Sequence, residues 1–210
     1  MIKKIVFFLF FISVFRLHGQ DTLEYKKFGY DKLAIGISPS SIFNNVGAIQ
    51  FSVDARLTNR IRVSSEIAYI YNSSYSYYTS GYRIRPSIEA ILYAGEKKGI
   101  QLGAFTLIRN FSQDRKIKVR YPERYNEYIP VKRSKKLLGA GISLSIVSKK
   151  PDRIKIETGG GLGIGAITIT DEKDIADVRE ERFFLSLDRV GKYGIPIIYF
   201  NFNISYSIMD

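Results

Sequence analysis

The sequence contains no cysteine and no tryptophan, and its single histidine is His18. Without cysteine the chain can form neither a disulfide nor a thiolate site. His18 lies in a segment that we expect to be removed, which excludes a Ser-His-Asp triad and a zinc site built from His and Cys in the mature chain. We therefore predict no catalytic residue, no metal and no cofactor, and we do not expect an enzyme.

The N-terminus has the pattern of an export signal. Two lysines precede the apolar run Ile5–Phe15, and the small residue Gly19 follows shortly after it. A charged start, an apolar stretch of about 7–15 residues and a small residue before the cleavage point are typical of a secretory signal, whereas a membrane-spanning helix needs about 20 apolar residues. We predict a signal peptide over residues 1–19 and one mature domain over residues 20–210.

The chain is basic, with a formal net charge of +12 that falls to +9 when the three cations of the signal are lost. A basic balance indicates an anionic partner. Export argues against nucleic acid and favours anionic lipid, lipopolysaccharide or an extracellular ligand.

Eight segments of the mature chain alternate between apolar and polar residues, the pattern of a β-strand with two different faces. In the clearest segment, Ile198–Ile208, every second residue is apolar or aromatic and most of the others are small and polar. Most segments are about 9–12 residues long, close to the roughly 9–11 that a tilted membrane strand needs. The predicted strands are, in order, 32–38, 49–57, 61–69, 82–93, 100–110, 138–146, 154–168 and 198–208.

The connections between these segments sort by length. Three alternate connections are short: 58–60, 95–98 and 149–152. Of the others, 72–81, 111–136 and 171–194 are long, and only 40–45 is brief. Short turns at one rim and long loops at the other are typical of an outer-membrane barrel, with both termini on the periplasmic side and the long loops extracellular. A secreted β-sandwich is the alternative fold, because it also uses alternating strands.

Two local features need interpretation. Pro86 falls inside the fourth strand, where a proline removes a hydrogen-bond donor, so we predict a bulge there. The run Gly159–Ala166 contains a formal G-x-G-x-x-A match, but β-branched residues follow it where a dinucleotide site requires a helix. We interpret its alternate glycines as space for large side chains of neighbouring strands.

Alternation places ten charged residues on the face that would line the barrel. Ionised groups in a narrow interior must pair, and eight strands leave room for little but side chains. We therefore predict a structural charge network rather than a pore, and we do not interpret its Glu66 and Glu89 as a hydrolytic pair. The ten residues are Asp54, Arg56, Arg62, Glu66, Arg83, Arg85, Glu89, Arg109, Lys155 and Glu157.

The long connection 111–136 holds nine lysines and arginines against three acidic residues, with tyrosines between them. This composition suits contact with a polyanion at the cell surface, and a solvated extended hairpin is the alternative interpretation. The candidate contact residues are Arg115, Lys116, Lys118, Arg120, Arg124, Lys132, Arg133 and Lys135.

Three segments, Gly81–Pro86, Gly159–Ala166 and Ile198–Ile208, resemble those of the small OmpA/OmpX-type outer-membrane proteins of Gram-negative cell envelopes. The resemblance covers about residues 30 to 210 and implies a closed, eight-stranded, antiparallel, up-and-down transmembrane β-barrel. It also implies export and barrel-assembly machinery as transient partners. We expect a monomeric, non-enzymatic barrel that supports the envelope or binds a partner through its loops. A secreted soluble binding protein and a lipid-modifying barrel enzyme are the alternatives.

Overall fold

The computed structural model of this protein describes residues 32–39, 48–74, 77–95, 97–120, 126–149, 153–172 and 190–209. Of residues 72–74, 77, 115–120, 126–129 and 209 only the backbone is described. The predicted signal peptide, the connection 40–45, Arg124 and most of the connection 171–194 lie outside the described residues.

The described residues form eight strands and no helix, as the alternation predicts. The strands are β1 (Leu33–Ile37), β2 (Ala48–Arg56), β3 (Ile61–Ser74), β4 (Tyr77–Ala94), β5 (Lys98–Arg120), β6 (Asn126–Lys149), β7 (Ile154–Asp171) and β8 (Gly191–Met209). Within this part of the chain, no helix is long and apolar enough to cross a membrane.

Each strand pairs antiparallel with the next one in the chain, and β1 pairs with β8 to close a ring. The ring has two edges. We call the edge that carries the β2–β3, β4–β5 and β6–β7 connections the short-turn rim, and the opposite edge the long-loop rim. At the short-turn rim, Leu57 and Thr58 donate their amides to the carbonyl of Ile61 at 3.0 and 3.2 Å, which closes the turn between β2 and β3.

Two of the predicted long loops are largely strand. The β5–β6 ladder runs without a break from Lys98↔Ser148 to Arg120↔Asn126, so most of the segment 111–136 is a paired hairpin. The segment 72–81 likewise pairs up to Ser74↔Tyr77. The extended-hairpin interpretation of 111–136 therefore describes its backbone, and the strand ends predicted at 69, 82, 110 and 138 fall short of the observed ones.

Pro86 does not form the predicted bulge. The β4–β5 register is the same before and after it, from Ile84↔Ile108 to Ser87↔Phe105, and the irregularity in β4 lies between Ile91 and Tyr93. The amide of Ile91 donates to the carbonyl of Arg60 on the β3 side, so even-numbered amides of β4 point to β5. Proline has no amide hydrogen, and the pairing with β5 is simply interrupted there.

The outward and inward faces of the ring differ in polarity. Large apolar side chains point outward and are exposed, up to 79% for Ile164 and 83% for Phe200. Most of the buried polar and charged side chains point inward. A period of two along each strand separates the two sets.

Candidate functional site in the ring interior

The interior near the short-turn rim is a compact cluster of ionised side chains. Arg62 of β3 lies at its centre, with its Nη2 atom 2.6 Å from Glu157 Oε2 of β7 and its Nε atom 2.8 Å from Glu89 Oε2 of β4. The Nη2 atom is also 3.7 Å from Asp54 Oδ1. Lys155 donates to Asp54 Oδ2 at 2.8 Å. All five side chains are nearly inaccessible to solvent, so their charges are neutralised mainly by one another.

A second polar layer lies above this cluster, toward the middle of the strands. Arg85 forms an ion pair with Glu66. Gln50 and Asn201 donate to the two oxygens of the same carboxylate at 2.7 and 2.8 Å. Glu66 therefore has a partner on each oxygen, which a buried carboxylate requires. The Arg85 guanidinium lies 3.6 Å from the ring centroid of Tyr199, a favourable cation–π contact.

Glycines make room for this layer and for the aromatic residues beside it. A Cβ atom on Gly141 would lie 2.6 Å from Phe105 Cζ, and one on Gly161 would collide with the ring of Tyr199. The two rings meet edge to face with centroids 5.0 Å apart. The Gly-rich run lies in the middle of β7, which continues as a strand after it. Gly161 and Gly165 leave space for large side chains, as predicted, whereas a Cβ atom on Gly159 or Gly163 would meet mainly backbone atoms of β6.

Among the described residues, the half of the interior toward the long-loop rim is less filled. A cavity of about 420 Å³ lies there, whereas the void among the charged layers measures about 20 Å³. Arg83 and Arg109 line the larger cavity together with apolar side chains that include Leu107, Leu137 and Ile197. The prediction of an interior filled with side chains thus describes only the half near the short-turn rim.

All ten charged residues that were predicted to line the interior lie on the inward face, but they do not form one network. Five make the lower cluster and Glu66 pairs with Arg85 in the layer above it. Arg83 donates to the side-chain carbonyl of Gln50. Arg109 lies 4.5 Å from the ring centroid of Phe111. Arg56, which is half-buried, is paired in register with Arg62.

The candidate polyanion contacts do not form a described surface. Side chains of residues 115–129 are outside the description, and Lys132 is exposed while Lys135 is half-buried. Arg133 is 1% exposed and holds both oxygens of Asp171, at 2.6 and 2.7 Å. Its guanidinium is therefore covered, and its assignment as a surface contact is wrong.

The sequence analysis did not identify the uncharged residues that contact Glu66 and Arg85. Gln50, Asn201 and Tyr199 share the inward face of their strands with the predicted residues, and that shared face is the only signal that marks them. Among the described residues, no group of three or more His, Cys, Asp and Glu side chains is arranged to hold a metal ion.

Comparisons with protein-family models, with curated proteins and with solved structures find no match for this chain. The argument for its function therefore depends on its own residues.

Proposed function

We propose that this chain is a non-enzymatic β-barrel protein of the Gram-negative outer membrane, with periplasmic termini and its long-loop rim at the cell surface. The observation that carries the proposal is the outward face. It is mostly apolar on all eight strands, with a few outward Ser and Thr residues such as Thr106. The apolar positions continue from strand to strand, as the register pairs Ile108↔Leu138, Ile142↔Leu162 and Ile37↔Ile204 illustrate.

The apolar belt has the dimensions that a bilayer requires. On β6 its outward positions run from Leu138 to Ile146, nine residues without an outward charge, and Lys136 marks its upper edge. A tilted membrane strand needs about 9–11 residues. Soluble monomers rarely expose a contiguous apolar patch larger than a few hundred Å², and a secreted sandwich would bury this face rather than its charges.

The interior supports a structural rather than a catalytic role. Glu66 and Glu89 are both held in ion pairs with arginines, which leaves neither as a free acid or base. The Arg62 cluster also crosses the interior from β3 to β7, which favours a barrel that does not conduct solutes. The barrel would thus serve the envelope as a scaffold that presents the β5–β6 hairpin to an external partner.

Paired arginine substitutions on β6 test the membrane location. Ile142 and Leu138 are both 63% exposed, but Ile142 lies in the middle of the belt and Leu138 near its edge. In a bilayer an outward arginine costs about 2–4 kcal/mol at the midplane and about 0–1 kcal/mol near the interface. We expect Ile142→Arg to destabilise the protein in lipid vesicles by that larger amount and Leu138→Arg to have little effect. Equal effects, together with a soluble periplasmic wild type whose unheated and boiled samples migrate alike, would refute the proposal.

The orientation has its own test, because the chain has no native cysteine. Lys132 near the long-loop rim and Lys98 at the short-turn rim are both exposed. A membrane-impermeant thiol reagent should label Lys132→Cys on intact cells, and Lys98→Cys only after the outer membrane is permeabilised. The reverse pattern would place the long-loop rim in the periplasm.

A further inference from the structure

The cavity toward the long-loop rim is lined by two kinds of group. The polar part of its lining includes the guanidinium groups of Arg83 and Arg109, with Arg85 below them. The apolar part includes Leu107, Leu137 and Ile197, which belong to one packed cluster. Its volume of about 420 Å³ lies in the range of small-molecule sites, roughly 300–1,000 Å³, which are mostly apolar with a few polar groups.

Arg83 and Arg109 lie side by side. They are register partners on β4 and β5, an arrangement in which like charges repel. Among the described residues, neither arginine forms an ion pair with a carboxylate, and Arg109 Nε has no hydrogen-bond partner. Arg83 donates to the side-chain carbonyl of Gln50, but neither guanidinium group has an anionic acceptor among the described residues.

The charge of the interior is unevenly divided. The lower cluster holds three carboxylates and two cations, and Glu66 neutralises Arg85 above it. Arg56 lies beside the lower cluster, as the register partner of Arg62. Of the six cations among the ten charged residues, Arg83 and Arg109 are therefore the two that line the cavity without a carboxylate partner among the described residues. A pair of planar guanidinium groups is well suited to carboxylate or phosphate oxygens, which each can bind in a two-pronged manner.

We propose that this cavity binds a small anion with an apolar body, its carboxylate or phosphate held by Arg83 and Arg109 and its body against Leu107, Leu137 and Ile197. The anion relieves the repulsion between the two arginines and fills space that none of the described side chains occupies. This inference goes beyond the scaffold role and does not depend on where the protein is located, since every contact is inside the ring.

Binding of three naphthalene probes to the full chain in nonionic detergent tests the inference. The probes are 2-naphthoate, 2-naphthyl phosphate and the neutral 2-naphthamide, each titrated against protein and against empty micelles by calorimetry. We expect one saturable site for at least one of the anions and at least tenfold weaker binding of the amide. Whichever anion binds more tightly identifies the head group. No saturable binding beyond that of empty micelles, or equal binding of the amide, would overturn the inference.

Variants separate the contributions of the polar and apolar residues that line the cavity. Arg83→Gln combined with Arg109→Gln should weaken binding of the anion at least tenfold and leave that of the amide unchanged. Leu137→Trp should fill the cavity and abolish binding of all three probes, whereas Leu138→Trp, which places the same bulk on the outward face, should not. Each variant is first shown to fold by its migration on gels before and after boiling. Retained anion binding in folded Leu137→Trp protein would refute the site, even if the membrane tests succeed.

Discussion

Arg62 of β3 and Glu157 of β7 are joined across the ring by a hydrogen bond of 2.6 Å, although 95 residues separate them in the chain. The two strands are not neighbours in the sheet. The contact therefore links opposite sides of the ring. The same guanidinium group also contacts Glu89 of β4 and Asp54 of β2.

Removal of this guanidinium should be strongly destabilising. Arg62→Met leaves three buried carboxylates with Lys155 alone, and loss of one partner from a buried ion pair costs about 3–5 kcal/mol. We expect a loss of that size in the free energy of unfolding, measured by denaturant titration of protein refolded into lipid vesicles. Lys98→Met removes an exposed cation from the short-turn rim and should change stability by less than about 0.5 kcal/mol. Equal effects of the two substitutions would show that the cluster does not stabilise the ring.

The space left by Gly161 should also contribute to stability. A Cβ atom there would collide with the ring of Tyr199 and lie 2.8 Å from the carbonyl oxygen of Ile142. Overpacking of this kind costs about 1–3 kcal/mol, so Gly161→Ala should lower the free energy of unfolding by that amount. The matched control is Gly194→Ala on β8, where the nearest atom would be 3.9 Å away and where we expect little change. If Gly161→Ala were as stable as its control, the aromatic packing around Tyr199 would not be tight.

Replacement of Pro86 should strengthen the sheet. Pro86→Thr supplies an amide that points to β5, where the ladder is interrupted, and a net hydrogen bond contributes about 0.5–1.5 kcal/mol. We expect a gain in stability of that size, with slow hydrogen exchange of the new amide at position 86.

Pro196 on β8 provides the control for this substitution. The amide of Ser207 donates to Arg153 on the β7 side, so even-numbered amides of β8 point toward β1. The described pairing of β8 with β1 extends only from Ile204 to Met209. Pro196→Thr should therefore add no ladder hydrogen bond, and an equal gain from both substitutions would contradict the assignment of the interruption to Pro86.

Much of the strand pattern was predictable because alternation is a local property. Ile198–Ile208 and Leu138–Ile146 show their two faces without any knowledge of their neighbours. The ends of the strands were not predictable in this way. Between Phe111 and Lys136 polar residues occupy both faces, so only the pairing of β5 with β6 reveals that the strands continue.

The candidate site likewise has one property that the sequence predicted and one that it did not. Sequence alternation alone determined that the ten charged residues share the inward face, since in each strand they occupy the alternate positions to most of the large apolar residues. Only the tertiary structure decided which charges meet. Ring closure sets the heights of distant strands relative to one another, and this brings Arg62 to Glu157. The same closure leaves Arg83 and Arg109 beside the cavity toward the long-loop rim. The sequence could not predict either arrangement, because a local pattern carries no information on the distances between strands across the ring.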